Sequence, residues 1–181
     1  MGAEAAAGSI HLLLGGNVHA AKAVSDPAYA ALEHEINTRA ASITIDSVQA
    51  AGETLVVSIA VKAEMVGHYL PSMETHDRYW WIQVGALDAE GKRIAITPRP
   101  RSEEDFESPS PILFRCTEEP KPECDTLLRP QTTRIYKATL ALPKGARPAA
   151  LDAELHLSID DQQPVAVTRK PYAPAGPQPD R

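Results

Sequence analysis

The chain has 181 residues, 43% of them hydrophobic and 23% charged, with 16 prolines and 10 glycines. That length suits one domain with extensions, burying roughly 70% of its unfolded surface, and the proline load excludes an all-helical bundle. A net charge of -6 without a Lys/Arg stripe argues against nucleic acid as a partner, and no run approaches the apolar length of a membrane span, so no span is expected.

The first ten residues, MGAEAAAGSI, carry neither the basic nor the long apolar segment of an intact secretory signal, which leaves a cytoplasmic chain or a mature form. His11 opens HLLLGGNVHAAK, where Gly15, Gly16 and Asn17 suit a shaped loop. Ser25, Asp26 and Pro27 then supply N-cap candidates and an early proline. Tyr29, Leu32, Ile36 and Ala40 recur at helical spacing, which predicts a helix over about 26–41 and an N-terminal arm over 1–41.

From Ser42 the period becomes two. Ile43, Ile45 and Val48 begin a strand, and ETLVVSIAVKAEM alternates Leu55, Val57, Ile59 and Val61 on one face. RYWWIQVGALD continues as a strand whose DAEGK turn feeds the hairpin partner RIAIT. Residues 97–130 hold seven prolines, many acids and both cysteines, a long proline-rich and acidic loop. TTRIYKATLAL, LDAELHLSI and PVAVT are three further strands, and residues 171–181 read as a flexible tail. The expected fold is therefore mainly β, an antiparallel immunoglobulin-like β-sandwich over 42–170 with an N-terminal helical arm.

Three constellations carry possible chemistry. His11 with Gly15, Gly16 and Asn17 puts an imidazole beside a turn that lets a bulky group approach closely, although a glycine turn with an incidental histidine has the same pattern. In Gly67-His68-Tyr69-Leu70-Pro71, glycine and proline fix the chain on both sides of one imidazole, as orienting an axial ligand toward a planar cofactor requires; a strand-ending turn uses the same residues. Met65, His68, Met73 and His76 follow M-x2-H-x4-M-x2-H, a thioether and imidazole set suited to copper, while Met65 also fits a core position and His76 a solvated one. Cys116 and Cys124 lie in a hydrophilic, proline-containing stretch that suits a small loop disulfide and an oxidising compartment.

In chain order, HLLLGGN before a helix, GHYLP, DRYWWIQVGALDAEGKRI and LLRPQTTRIYKATLALP leading into LDAELHLSI resemble the C-terminal β-sandwich region of multihaem c-type cytochromes over about residues 10–168. The resemblance implies that His11 and His68 serve as distal haem ligands, that Gly15, Gly16, Asn17 and Pro71 shape their turns, and that Arg78 lies near a haem propionate or braces the loop. Where the family turn continues Pro-Thr-Gly, this chain reads Pro71-Ser72-Met73. It also lacks any Cys-x-x-Cys-His motif, so the haem c would be carried by a partner chain, a multihaem c-type cytochrome.

No Gly-x-Ser-x-Gly elbow, His-Glu-x-x-His helix or phosphate loop occurs, and residues 102–107, SEEDFE, lack the spacing of a calcium loop. His34 reads as solvated, strand alternation decides the environment of His156, and Trp80 and Trp81 should face opposite sides of one strand, one in the core and the other at an interface or over a haem edge. The expectation is a non-enzymatic, periplasmic or extracellular electron-transfer subunit that docks on the cytochrome. A copper-binding module and a structural protein-interaction domain without a cofactor are the alternatives.

Overall fold

The structure, a computed structural model, describes residues 31, 35, 37–64, 79–102, 105, 107–113, 126, 128–158 and 163–173. Asn37 to Ala40 close a helical segment, with Ala40 buried as its helical spacing requires, and the first strand follows at once. The strands are β1 (Ala41–Ala51), β2 (Thr54–Ala63), β3 (Trp80–Leu87), β4 (Arg93–Ile96), β5 (Ile112–Leu113), β6 (Thr133–Ala141), β7 (Ala150–Leu157) and β8 (Ala166–Pro171).

One sheet has the order β1-β2-β6 and the other β4-β3-β7-β8, with β5 continuing the β4 side of β3; every pairing is antiparallel. β1 packs against β8 and β7, and β6 against β3 and β4. This is the Greek-key division of an immunoglobulin-like sandwich, as the sequence predicts. Strand alternation explains the core: Leu55, Val57, Ile59 and Val61 of β2 face Ile82, Val84, Leu151 and Leu155 of the other sheet, all essentially buried.

Both open sides of the sandwich are stitched. On one, β1 bulges between Ile45 and Ser47, and the ammonium of Lys170 on β8 donates to the carbonyls of Ile45 (3.2 Å) and Asp46 (2.9 Å). A bulge frees carbonyls from the ladder, and Lys170 satisfies them across the sheets. On the other, Pro109 O accepts from Thr139 N of β6 (3.0 Å), while Pro111 O accepts from Ile82 N of β3 (2.9 Å). Between them Ser110 Oγ donates to Pro98 O (2.6 Å) and lies 2.6 Å from the Thr97 hydroxyl, whose Oγ1 accepts from Val84 N (3.0 Å). This part of the proline-rich stretch therefore binds both sheets.

The connection from β6 to β7 aligns the sheets end to end. It contains a closed turn, Ala146 N donating to Pro143 O (2.9 Å), and finishes with Ala149 N donating to Leu87 O (2.7 Å). In this topology the hairpin turns β1–β2 and β3–β4 and the β6–β7 connection share one pole, where Ala141 and Ala150 lie. Gly52, Gly91 and Gly145, with φ of 64°, 79° and 74°, form the tight turns there. The opposite pole receives Ala41, Ala63, Trp80, Leu113, Thr133 and Leu157.

Ile59→Ala should cost about 2–5 kcal/mol in a denaturant melt by opening a core cavity, whereas Ile135→Ala, at a side chain 48% exposed, should change stability by less than about 0.5 kcal/mol. Equal effects would contradict this placement of the core.

Candidate functional site

The residues singled out for haem (His11, Gly15, Gly16, Asn17, His68, Pro71 and Arg78), for copper (Met65, His68, Met73 and His76) and for a disulfide (Cys116 and Cys124) lie outside the described residues. Their chain neighbours that are described converge at the second pole. Ala41 is paired with Ala63, and Glu64 N donates to Ala40 O (2.9 Å), so the arm that follows His11 and the β2–β3 connection that contains His68 meet the sandwich side by side.

Both bases of that connection are tied down. Glu64 accepts from Ser42 Oγ (2.6 Å) and Lys62 Nζ (2.7 Å), and these bonds, Lys62 first, hold its carboxyl below the usual carboxylate range. At the other end Tyr79 N donates to Ser158 Oγ (3.0 Å), Ser158 N donates to Tyr79 O (2.9 Å), and Tyr79 Oη donates to Pro100 O (3.3 Å). Tyr136 Oη likewise donates to Thr126 O (2.8 Å), two residues before the fully buried Leu128.

From this pole a file of polar and aromatic side chains runs along the outer face of the larger sheet. The β3–β7 register opposes Trp81 to His156, Gln83 to Glu154 and Gly85 to Asp152. The Trp81 and His156 rings stack with centroids 4.6 Å apart and planes 18° from parallel. His156 Nε2 lies 3.1 Å from Glu154 Oε2, and Arg93 Nη2 donates to Glu154 Oε1 (2.5 Å) and Asp152 Oδ2 (2.7 Å). Hydrogen bonding to His156, with Arg93 in support, holds the Glu154 carboxyl at about 2 against the opposing effect of burial. Burial works against the charge of Arg93, but the two carboxylates outweigh it and raise its pKa.

Asp152 Oδ1 is buried without a hydrogen-bond partner. It lies against Gly85, where an added Cβ would overlap it and crowd Arg93 Nε (2.8 Å), so a Cα–H of Gly85 occupies the space a stronger donor would need. The missing side chain at Gly85 makes room for the ion pair. Arg93, the two carboxylates and His156 are turned on one another, and among the described residues no group of three His, Cys, Asp or Glu could hold a metal ion. No helix of the described residues is long and apolar enough to cross a membrane.

Trp80 lies in the main core, as one of the two tryptophans should. Trp81 forms a second cluster with Tyr79 and Ile112 and is 5% exposed, so its ring is covered within this chain rather than presented to a partner. Sequence reasoning missed the Arg93–Asp152–Glu154–His156 cluster. Its signal was the alternation of Asp152, Glu154 and His156 along β7, which marks a polar strand face without naming the partners across it.

No protein-family model matches the sequence, and no curated protein does. Among solved structures, a penta-haem cytochrome c552 from Thermochromatium tepidum is 19% identical with a TM-score of 0.48, covering 77% of this chain and 41% of that one. A β-glucuronidase of glycoside hydrolase family 2 is 4% identical (TM-score 0.37, 72% and 11% covered), and a β-glucosidase from Kluyveromyces marxianus is 8% identical (TM-score 0.34, 72% and 14% covered). The chain spans less than half of each neighbour, and likenesses this distant carry no argument about activity.

Gly85→Ala should push Arg93 off Asp152 and lower stability by about 1–3 kcal/mol; a neutral or stabilising effect in denaturant melts would contradict the packing. The Glu154 carboxyl, depressed from 4.5 to about 2, gives stability that is present above pH 4.5 and lost as pH falls toward 2. Solvent screening limits this to on the order of 1–2 kcal/mol. Glu154→Gln should flatten that part of the stability–pH curve, and an unchanged acid limb would contradict the ion pairing.

Proposed function

We propose that this chain is a non-catalytic β-sandwich module that docks on a multihaem c-type cytochrome and supplies His11 and His68 as distal ligands to haem c carried by that partner. The observation that carries the reading is the pairing of Ala41 with Ala63 and of Ala40 O with Glu64 N, which starts both histidine-bearing segments from one pole. The ordered sequence motifs support the same reading. Electron transfer is then the function of the assembly, and this chain's share is ligation and exclusion of water, both of which tune haem potential. The proposed compartment is periplasmic or extracellular, where haem c resides and where Cys116 and Cys124 would pair.

The test uses a haem c peptide that contributes its own proximal imidazole and has an open sixth position. Addition of the full chain should convert its high-spin spectrum to a low-spin one, and His68→Ala should weaken that conversion at least about tenfold, equivalent to 1.4 kcal/mol. Wild type, His11→Ala and His68→Ala behaving alike would overturn the ligand assignment. Copper retained through Met73 and His76 by a chain indifferent to haem would favour the copper module instead.

A further inference from the structure

We propose that Lys170 guards the β1 edge of the smaller sheet against pairing with the same strand of a second copy of this chain, an inference independent of the haem-ligand reading. β1 ends its sheet, whose order is β1-β2-β6, and at 11 residues it is long for an edge strand. Glu64 N donates to Ala40 O (2.9 Å), so in the antiparallel register Ala40, Ser42 and Thr44 turn their backbone groups to β2. Ala41, Ile43 and Ile45 therefore turn theirs away from it. The stretch Ala41-Ser42-Ile43-Thr44-Ile45 is uncharged, lacks proline and is mostly β-branched, the composition of a strand that pairs with its own copy. With a two-fold axis at Ile43, the backbone groups of Ala41 would meet those of Ile45 in the second copy and Ser42 would face Thr44, so that the two smaller sheets would run on as one.

Lys170 stands in the way of that pairing. It lies on the face of β8 that also carries Ala166 and Tyr172, both packed against the core, and so it turns toward the other sheet. Its ammonium reaches the β1 bulge and donates to Ile45 O (3.2 Å) and Asp46 O (2.9 Å). Ile45 O is the acceptor that Ala41 N–H of a second copy would need, and the bulge has released Asp46 O from the ladder. Charge-assisted bonds to both carbonyls occupy the edge's acceptors and set a cation where an incoming strand would lie. The β6 edge is closed differently: Thr139 N donates to Pro109 O (3.0 Å), a contact between backbones. At β1 the corresponding contact rests on one side chain.

The test measures self-association by sedimentation velocity over a concentration series for the full chain, Lys170→Met, Lys170→Arg, Thr44→Lys and Lys170→Met/Thr44→Lys, with circular dichroism to establish folding. Lys170→Met should associate at concentrations at least about tenfold lower than wild type, the effect of freeing one charge-assisted hydrogen bond at the edge. Lys170→Arg, which keeps the charge and the donors, should behave as wild type. Thr44 is exposed on β1, and in the paired register its two copies are diagonal neighbours, so adding Thr44→Lys should abolish the association of Lys170→Met by like-charge repulsion. Lys170→Met associating no more than wild type would overturn the guarding role. Association of Lys170→Met that survives Thr44→Lys would overturn it too, by placing the contact on another surface. So would wild-type association that Thr44→Lys abolishes, because the edge would then pair with Lys170 in place. If Lys170→Met proves unfolded, Lys170→Gln, which loses the charge and stays polar, takes its place with the same expected outcomes.

Discussion

The antiparallel register of β3 on β7 is the constraint on which the rest depends. It places Trp80, Ile82 and Val84 beside Leu157, Leu155 and Ala153 in the core, and Trp81, Gln83 and Gly85 beside His156, Glu154 and Asp152 outside. Because side chains alternate, a one-residue slip of β7 would turn Asp152 and Glu154 into the core and its own row of aliphatic side chains into water. Hydrophobic burial and charge solvation therefore select the same register. The Trp81–His156 stack adds a cross-strand pair that forms only when it is met.

The outer cluster illustrates how a partly buried charge group stays tolerable. Arg93 alone on the sheet would leave its desolvation uncompensated, and so would either carboxylate; together they bond one another, with His156 closing the file. The arrangement needs a glycine at position 85, since any side chain there would occupy the volume of the Asp152 carboxylate. Such a group stabilises one arrangement more by excluding the alternatives than by its net energy. Lys170 on the β1 bulge does the same at the side of the sandwich, where a long edge strand would otherwise present free carbonyls.

The strands were legible wherever one face is buried and the other wet: β2, β6 and β7 alternate, and their periods of two give the elements and the buried set directly. β5 was not legible, because two residues cannot display a period, and nor was the stitch through Pro109, Ser110 and Pro111, whose order comes from backbone bonds to residues far along the chain. The same distance hid the environment of His156. Alternation fixes its face, but its neighbour Trp81 lies across a register that only the folded sheet defines. Gly85 looked like any strand glycine until Arg93 and Asp152 were found over it. Of the motifs that carried the haem expectation, HLLLGGN and GHYLP lie outside the described residues, whereas YWWIQVGALDAEGKRI and LRPQTTRIYKATLALP contain β3, the start of β4, and β6.

The two poles differ in a way that bears on how a ligand-supplying module would work. One is closed by tight turns at Gly52, Gly91 and Gly145, while the other anchors the arm, the β2–β3 connection and the chain leading into β6. On the proposed reading, in which the partner carries the haem, docking rather than linker length sets the effective concentration of the imidazoles. Under that condition any freedom left in the ligand-bearing segments subtracts from affinity. The side chains of Ser42, Lys62 and Ser158 bond Glu64 and Tyr79, the described residues at the two ends of the β2–β3 connection.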